Sequence, residues 1–273
     1  MKTLHLHLVS DASGETVSSL ARACLVQFEG INVIHHLWWL VRTKGQIERV
    51  AEGVRSNPGV VLYTLVDPEL RRPLEVACAE TPGVTGIPVL DPIMRALGGH
   101  LEVRASEKPG RQHTLDDNYY DRIDAMHFAI DHDDGQSLGT IHQADVILTG
   151  VSRTSKTPTC MYLANRGIRA ANVPLVPGVP APEELKKATK SLIVGLTRDS
   201  RSLADIRRNR LRVMNEHRDT SYADPDHVRE EILAARRLCQ QNGWKVIDVT
   251  RRSIEEVAAT ILQMLPARDG GGE

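Results

Sequence analysis

Short apolar runs alternate with stretches of helical spacing along the first hundred residues. Leu4–Ser10 alternates like a half-buried strand, and Gly14–Phe28 sets Val17, Leu20, Ala21 and Cys24 on one helical face. Ile31–Val41 opens with apolar and β-branched residues, and Gly45–Val54 returns to the helical period. Val60–Val66 is a buried-strand run that stops at Asp67-Pro68, and Val84–Leu90 is another that stops at Asp91-Pro92. Each Asp-Pro pair predicts an aspartate N-cap with proline at the first helical position, where its missing N–H costs nothing. Such βαβα alternation predicts a mostly parallel sheet with helices on both faces.

Gly98–Asn118 interrupts this rhythm with glycines, a Lys108-Pro-Gly110 turn and many polar residues, and reads as a connection between two lobes. Helical periodicity resumes over Arg122–Ile130 and runs into an acidic turn, Asp131-His-Asp-Asp-Gly135. Beyond it the pattern predicts strands at Ala144–Leu148, Ile168–Val173, Ser191–Leu196 and Lys245–Val249. Helices are expected over Pro158–Asn165, Pro182–Thr189, Ser202–Val213, Asp226–Gln241 and Ser253–Leu265, the last opened by a Ser253/Glu256 capping box. Four prolines from Pro174 to Pro182 make that stretch extended and stiff. The expectation is an α/β chain of two lobes, both with mostly parallel sheets and helices on both faces. Residues 1–100 would form the first lobe, 101–121 the connection and 122–273 a nucleotide-binding lobe containing a P-loop. The Gly-rich last residues should fray.

The P-loop expectation rests on Gly150-Val-Ser-Arg-Thr-Ser-Lys156-Thr157, between the apolar run ending at Thr149 and the helix-like stretch from Pro158. Strand, loop and helix in that order suit a G-x-x-x-x-G-K-[ST] phosphate cradle, although Ser155 stands where glycine is usual. Amide groups of Gly150, Val151, Ser152, Arg153, Thr154, Ser155, Lys156 and Thr157 would face phosphate oxygens at the positive end of a helix. Lys156 would reach the terminal phosphates, the Thr157 hydroxyl would hold magnesium, and Arg153 would neutralise a transferring phosphoryl group. The Asp131–Gly135 turn supplies three carboxylates, Asp131, Asp133 and Asp134, and the His132 imidazole to hold metal or orient an attacking hydroxyl, although a solvated turn has the same composition. Asp248-Val-Thr250, at the end of the last predicted strand, would border the base by analogy with small P-loop kinases.

The other features are weaker. Asp11 follows the first strand, where open α/β sheets bind ligands, but Ser10-Asp-Ala-Ser-Gly14 equally suits a helix start capped by Ser10 or Ser13. His5 and His7 share a strand face without a companion carboxylate or thiol cluster and read as partly buried histidines. Cys24, Cys78, Cys160 and Cys239 are too scattered for a disulfide frame or zinc site, and read as reduced thiols of a cytoplasmic protein, with Cys160 a packing residue. With 34 basic and 35 acidic residues in 273, no general pull toward nucleic acid or membrane is expected. No apolar run approaches the roughly 20 residues of a membrane span.

Gly150–Ala164 (GVSRTSKTPTCMYLA), with Ala144–Thr149 and Ala171–Pro177, resembles the bacterial and plant regulatory proteins of pyruvate, phosphate dikinase. Ser10–Thr16, Arg122–Gln136, Gly195–Thr197 and Gly243–Glu256 extend the resemblance along the chain, with Asp133 and Asp134 matching the family's turn. The resemblance implies ADP as phosphoryl donor to a threonine near the dikinase's catalytic histidine, which inactivates the dikinase. It implies reactivation by inorganic phosphate with release of pyrophosphate, the dikinase as protein partner, and a homodimer. A sister branch acts on phosphoenolpyruvate synthetase; Ser155 before the loop lysine and Pro174-Leu-Val-Pro177 favour the dikinase branch. Read without the resemblance, the residues also suit a small-molecule P-loop kinase or a nucleotide sensor without turnover.

Overall fold

The computed structural model describes residues 2–106, 117–214 and 221–265. The chain divides into two compact units, Met1–Thr114 and Leu115–Glu273. The Lys108-Pro-Gly110 turn and the Gly-rich end lie outside the described residues.

In the first unit, β1 (Lys2–Ser10), β2 (Ile31–Trp38), β3 (Val60–Thr64) and β4 (Thr85–Pro88) form one parallel sheet in the order β2-β1-β3-β4. The connecting helices are α1 (Glu15–Leu25), α2 (Lys44–Ser56) and α3 (Pro68–Glu80), and α4 (Asp91–Leu101) comes after β4. Local chemistry sets most starts. Thr43 and Gln46 form a capping box on α2, and the Asp67 carboxylate accepts from Glu69 N–H with Pro68 in the first turn of α3. Two expected caps are absent. Leu90, not Asp91, is the N-cap of α4, because the Asp91 carboxylate takes a two-pronged bond from Arg71 at 2.7 and 2.9 Å. The N-cap of α1 is Gly14, with no side-chain cap, rather than Ser10 or Ser13. Gly98 and Gly99, expected to start a break, lie inside α4.

The second unit opens with α5 (Asp117–Asp131), longer at both ends than its periodicity suggests, and two short three-ten turns, Asp133–Gly135 and Leu138–Gln143. Next come β5 (Val146–Gly150), α6 (Lys156–Ala164), β6 (Ala170–Pro174), α7 (Glu183–Lys187), β7 (Leu192–Thr197), α8 (Ser200–Val213), α9 (Pro225–Gln241), β8 (Lys245–Asp248) and α10 (Ile254–Met264). The sheet is parallel in the order β6-β5-β7-β8, the same permutation as in the first unit. The expected Ser253/Glu256 capping box opens α10. Every residue of β5 is buried. Leu148 joins α5, α6 and α10 side chains in one cluster, while Ile147 packs in a second that includes Ile141 and Leu185. Burying such side chains stabilises by about 1.5–3 kcal/mol each, so β5 is a rigid post for the loop at its carboxyl end.

Candidate functional site

β5 has β6 on one side and β7 on the other, so the chain reverses its direction of travel across the sheet at β5. Open α/β sheets form their ligand crevices outside the carboxyl ends of strands at such a point. The Gly150–Ser155 loop leaves there. A cavity of about 430 Å³ is bordered by this loop, Asp133 and Asp134 of the acidic turn, Asn172 and Pro174 of β6, and Arg198 after β7.

The loop is held in an unusual shape. Gly150 has φ 137°, and a Cβ there would collide with the Leu196 carbonyl of β7. Arg153 and Ser155 take φ 70° and 64°, left-handed values that L-residues adopt at some cost. Thr154 Oγ1 donates to the Val151 carbonyl at 3.0 Å. Helix α6 begins at Lys156, two residues earlier than expected, with Ser155 as N-cap and no side-chain cap on its first amides.

Lys156 is buried, and its ammonium donates to the Val151 carbonyl at 2.9 Å. Burial pulls its pKa down from 10.5 to about 8, against the opposing pull of Asp134, Cys160 and Asp133. Thr157 Oγ1 donates to Asp133 Oδ1 at 2.9 Å. Asn172 Nδ2 donates to the same carboxylate oxygen at 2.6 Å and to Thr157 Oγ1 at 3.0 Å. The carboxylate only accepts, so the donating end of Asn172 must face it. Its backbone N–H also donates to the His132 carbonyl at 2.9 Å. Asn172 thus ties the acidic turn to β6 and to the start of α6.

The two carboxylates differ. Asp133 is half-buried and engaged by two donors, whereas Asp134 is exposed, sits at φ 51°, and exerts the largest upward pull on the Lys156 pKa. His132 points away from this chemistry: its ring stacks on Phe128 at 3.8 Å, Nδ1 donates to the Phe128 carbonyl, and Nε2 pairs with the Thr140 hydroxyl. Arg153 is exposed on the loop and borders the cavity. Burial pushes the Cys160 thiol strongly up, in keeping with a packing role. Asp248 accepts from the Thr250 N–H and hydroxyl, outside the cavity lining.

Sequence reasoning passes over Asn172, Arg198 and Arg207. Asn172 has a signal, a lone amide in an otherwise apolar strand. Arg207 has one too, on the same helical face as Leu203 and Ala204. In the first unit, Asp11 is buried and accepts from Val66 N–H at 2.9 Å, while Arg42 Nε donates to its carbonyl at 2.8 Å. The carboxylate joins the ends of β1 and β3. His7 is fully buried between the Asn57 carbonyl and the Trp38 indole.

Residues 6–262 match the kinase/pyrophosphorylase family. The chain belongs to that family. A relative in Paramagnetospirillum magneticum, named as a pyruvate, phosphate dikinase regulatory protein, is 58% identical over 264 residues, covering 97% of this chain and 85% of the relative. A like-named protein of Rhodospirillum rubrum is 58% identical over 265 residues, covering 97% and 96%. One from Caulobacter vibrioides is 51% identical over 97% of this chain and 84% of its own. A kinase/pyrophosphorylase works on nucleotide and phosphate substrates. No helix among the described residues is long and apolar enough to cross a membrane.

Proposed function

We propose that the chain regulates pyruvate, phosphate dikinase, moving the β-phosphoryl group of ADP to a dikinase threonine and removing it with inorganic phosphate. In the forward direction the threonine Oγ–P bond forms, the bond from Pβ to the bridging oxygen breaks, AMP leaves, and the hydroxyl proton is released. In reverse, phosphate oxygen attacks the phosphothreonine phosphorus, giving pyrophosphate and the free hydroxyl. Both directions need one cradle for a phosphate held beside the threonine. The observation that carries this reading is the Gly150–Thr157 loop at the end of β5, joined by Thr157 and Asn172 to Asp133.

The loop acts as a P-loop: the uncapped amides at the start of α6 face phosphate oxygens, and the helix dipole favours their charge. Lys156 leaves the Val151 carbonyl for a phosphate oxygen, whose negative charge keeps its ammonium protonated. Arg153 covers charge on the group in transfer. Thr157 and Asp133 suit magnesium, which is commonly held by one or two protein oxygens together with substrate phosphates. Bound there, the ion would supply charge neutralisation to the phosphates. Thr157 keeps a lone pair for it, because its proton goes to Asp133 and Asn172 takes only one acceptor site. Asp134, free of such ties, accepts the proton of the threonine hydroxyl. The prolines from Pro174 to Pro182 shape the rim on which the dikinase docks. The free cysteines fit a cytoplasmic setting.

The test is incubation with β-labelled ADP, magnesium and purified dikinase held in its phosphohistidine form. Label on a dikinase threonine, absent with Lys156→Ala, is the expected result. Label appearing only on phosphoenolpyruvate synthetase would reassign the target. Transfer to neither would overturn the reading.

A further inference from the structure

Two adjacent carbonyls of the loop are gripped by two buried cations. Val151 is held by Lys156 from within the loop. Ser152 is held from outside, by Arg207 of α8, whose Nη2 donates to its carbonyl at 3.3 Å. Arg207 is only 1% exposed. The same nitrogen donates to Glu231 of α9 at 2.7 Å, and Nη1 donates to the Tyr222 carbonyl at 2.9 Å. The guanidinium lies over the Tyr222 ring at 4.5 Å, and the Tyr222 hydroxyl meets Ser152 Oγ at 3.3 Å. Ser152 is therefore fixed through both its backbone and its side chain.

We propose that Arg207 is a positioning residue for phosphoryl transfer, holding the outer limb of the loop at Ser152 so that Arg153 and the amides after it stay aimed at the phosphates. The inference rests on the functional reading above. Stability alone does not account for this arginine. A buried ion pair is commonly matched or bettered by apolar side chains of similar volume, and Leu203, Ala204, Val228 and Ile232 already pack α8 on α9. An apolar pair cannot bond a loop carbonyl. The loop needs such a bond because Arg153 and Ser155 both sit at positive φ, where an unrestrained chain would relax. The restraint must also outlast Lys156, which changes partner when phosphate arrives. Arg207 does not line the cavity, so it keeps the limb in place through both directions of the reaction.

Two variants and two readouts test this. Arg207→Lys keeps a cation beside Glu231 but loses the fork that reaches Ser152 and Tyr222 together. The double variant Arg207→Met with Glu231→Leu removes both charges without orphaning either, which preserves folding if Arg207→Lys does not. Hydrogen exchange at residues 150–155 reads the restraint, and phosphoryl transfer from ADP to dikinase reads the chemistry. We expect faster exchange in the loop, kcat lower by about 10–100-fold, and KM for ADP within about threefold of the parent, because misplacement by about 1 Å costs of that order. A folded variant with parental kcat and loop exchange overturns the proposal. Equal losses in kcat and thermal stability, with loop exchange rising no more than in the core, also overturn it, because the residue is then purely structural. A parent protein that transfers no label refutes the functional reading and the catalytic half of the inference. The exchange result still decides whether Arg207 restrains the loop.

Discussion

Replacing Lys156 by methionine keeps an unbranched stem in the same slot and removes its charge. Burial lowers the lysine pKa from 10.5 to about 8 in the folded chain. At about 1.4 kcal/mol per pH unit, that drop corresponds to about 3 kcal/mol. The unfolded chain holds the proton up to 10.5, whereas the folded chain releases it near 8. Between those values the unfolded state binds more protons, so this group makes stability rise with pH. Below 8 the folded protein carries the whole cost of the buried charge. Above 10.5 it carries none. Urea unfolding of both proteins at about pH 7, 8, 9 and 10, read as midpoint and slope, isolates the effect because all other titrations are shared. The stability difference should move in favour of the parent by about 2.5 kcal/mol across that range, because at pH 10 the unfolded chain still holds most of its proton. A constant offset at every pH would refute the argument, since the ammonium would then be solvated and the Val151 contact incidental.

Lys156→Ala should abolish transfer from ADP and the phosphate-driven reversal together; loss of only one direction, measured with label in each, would separate the two sites. Asp134→Asn should lower kcat by about 100-fold with the magnesium requirement unchanged, whereas Asp133→Asn should raise the magnesium concentration needed for half-maximal rate. Opposite assignments in a magnesium titration would exchange their roles. Gly150→Ala should cost more than about 2 kcal/mol by urea unfolding, because the left-handed backbone and the Leu196 carbonyl both oppose a Cβ. His7 is held neutral, with Nε2 donating to Asn57 and Nδ1 accepting from Trp38, and burial lowers its pKa below 6.5. The unfolded chain therefore binds the extra proton first, and stability should fall as pH drops below 6.5. His7→Gln should flatten that acid limb; an unchanged limb would place the sensitivity elsewhere.

Periodicity is enough to read the strands of both sheets, because their apolar and β-branched runs contrast with the polar turns around them. The loop from Gly150 to Thr157 is legible as a spacing, and so is the acidic turn. The bonds that join them are not. Asn172 and Asp133 are 39 residues apart in the chain, and their hydrogen bond exists only because β6 pairs with β5. Arg207 reaches Ser152 across 55 residues for a similar reason. Local rules also lose to tertiary partners at Asp91, where a salt bridge to Arg71 displaces the expected cap. Gly98 and Gly99 suggest a break by composition, yet a helix runs through them, since their effect on helix stability is only about 1 kcal/mol each.

The repeated strand permutation bears on how the chain is made. Each sheet draws all four of its strands from one uninterrupted stretch, β1 to β4 and then β5 to β8. During synthesis, the ribosome delivers every pairing partner of the first sheet before it begins β5, the strand that leads into the Gly150–Ser155 loop. The amino-terminal half can therefore close its hydrogen-bonded ladder while the other half is still being translated, which keeps two slow parallel sheets from competing for each other's edges.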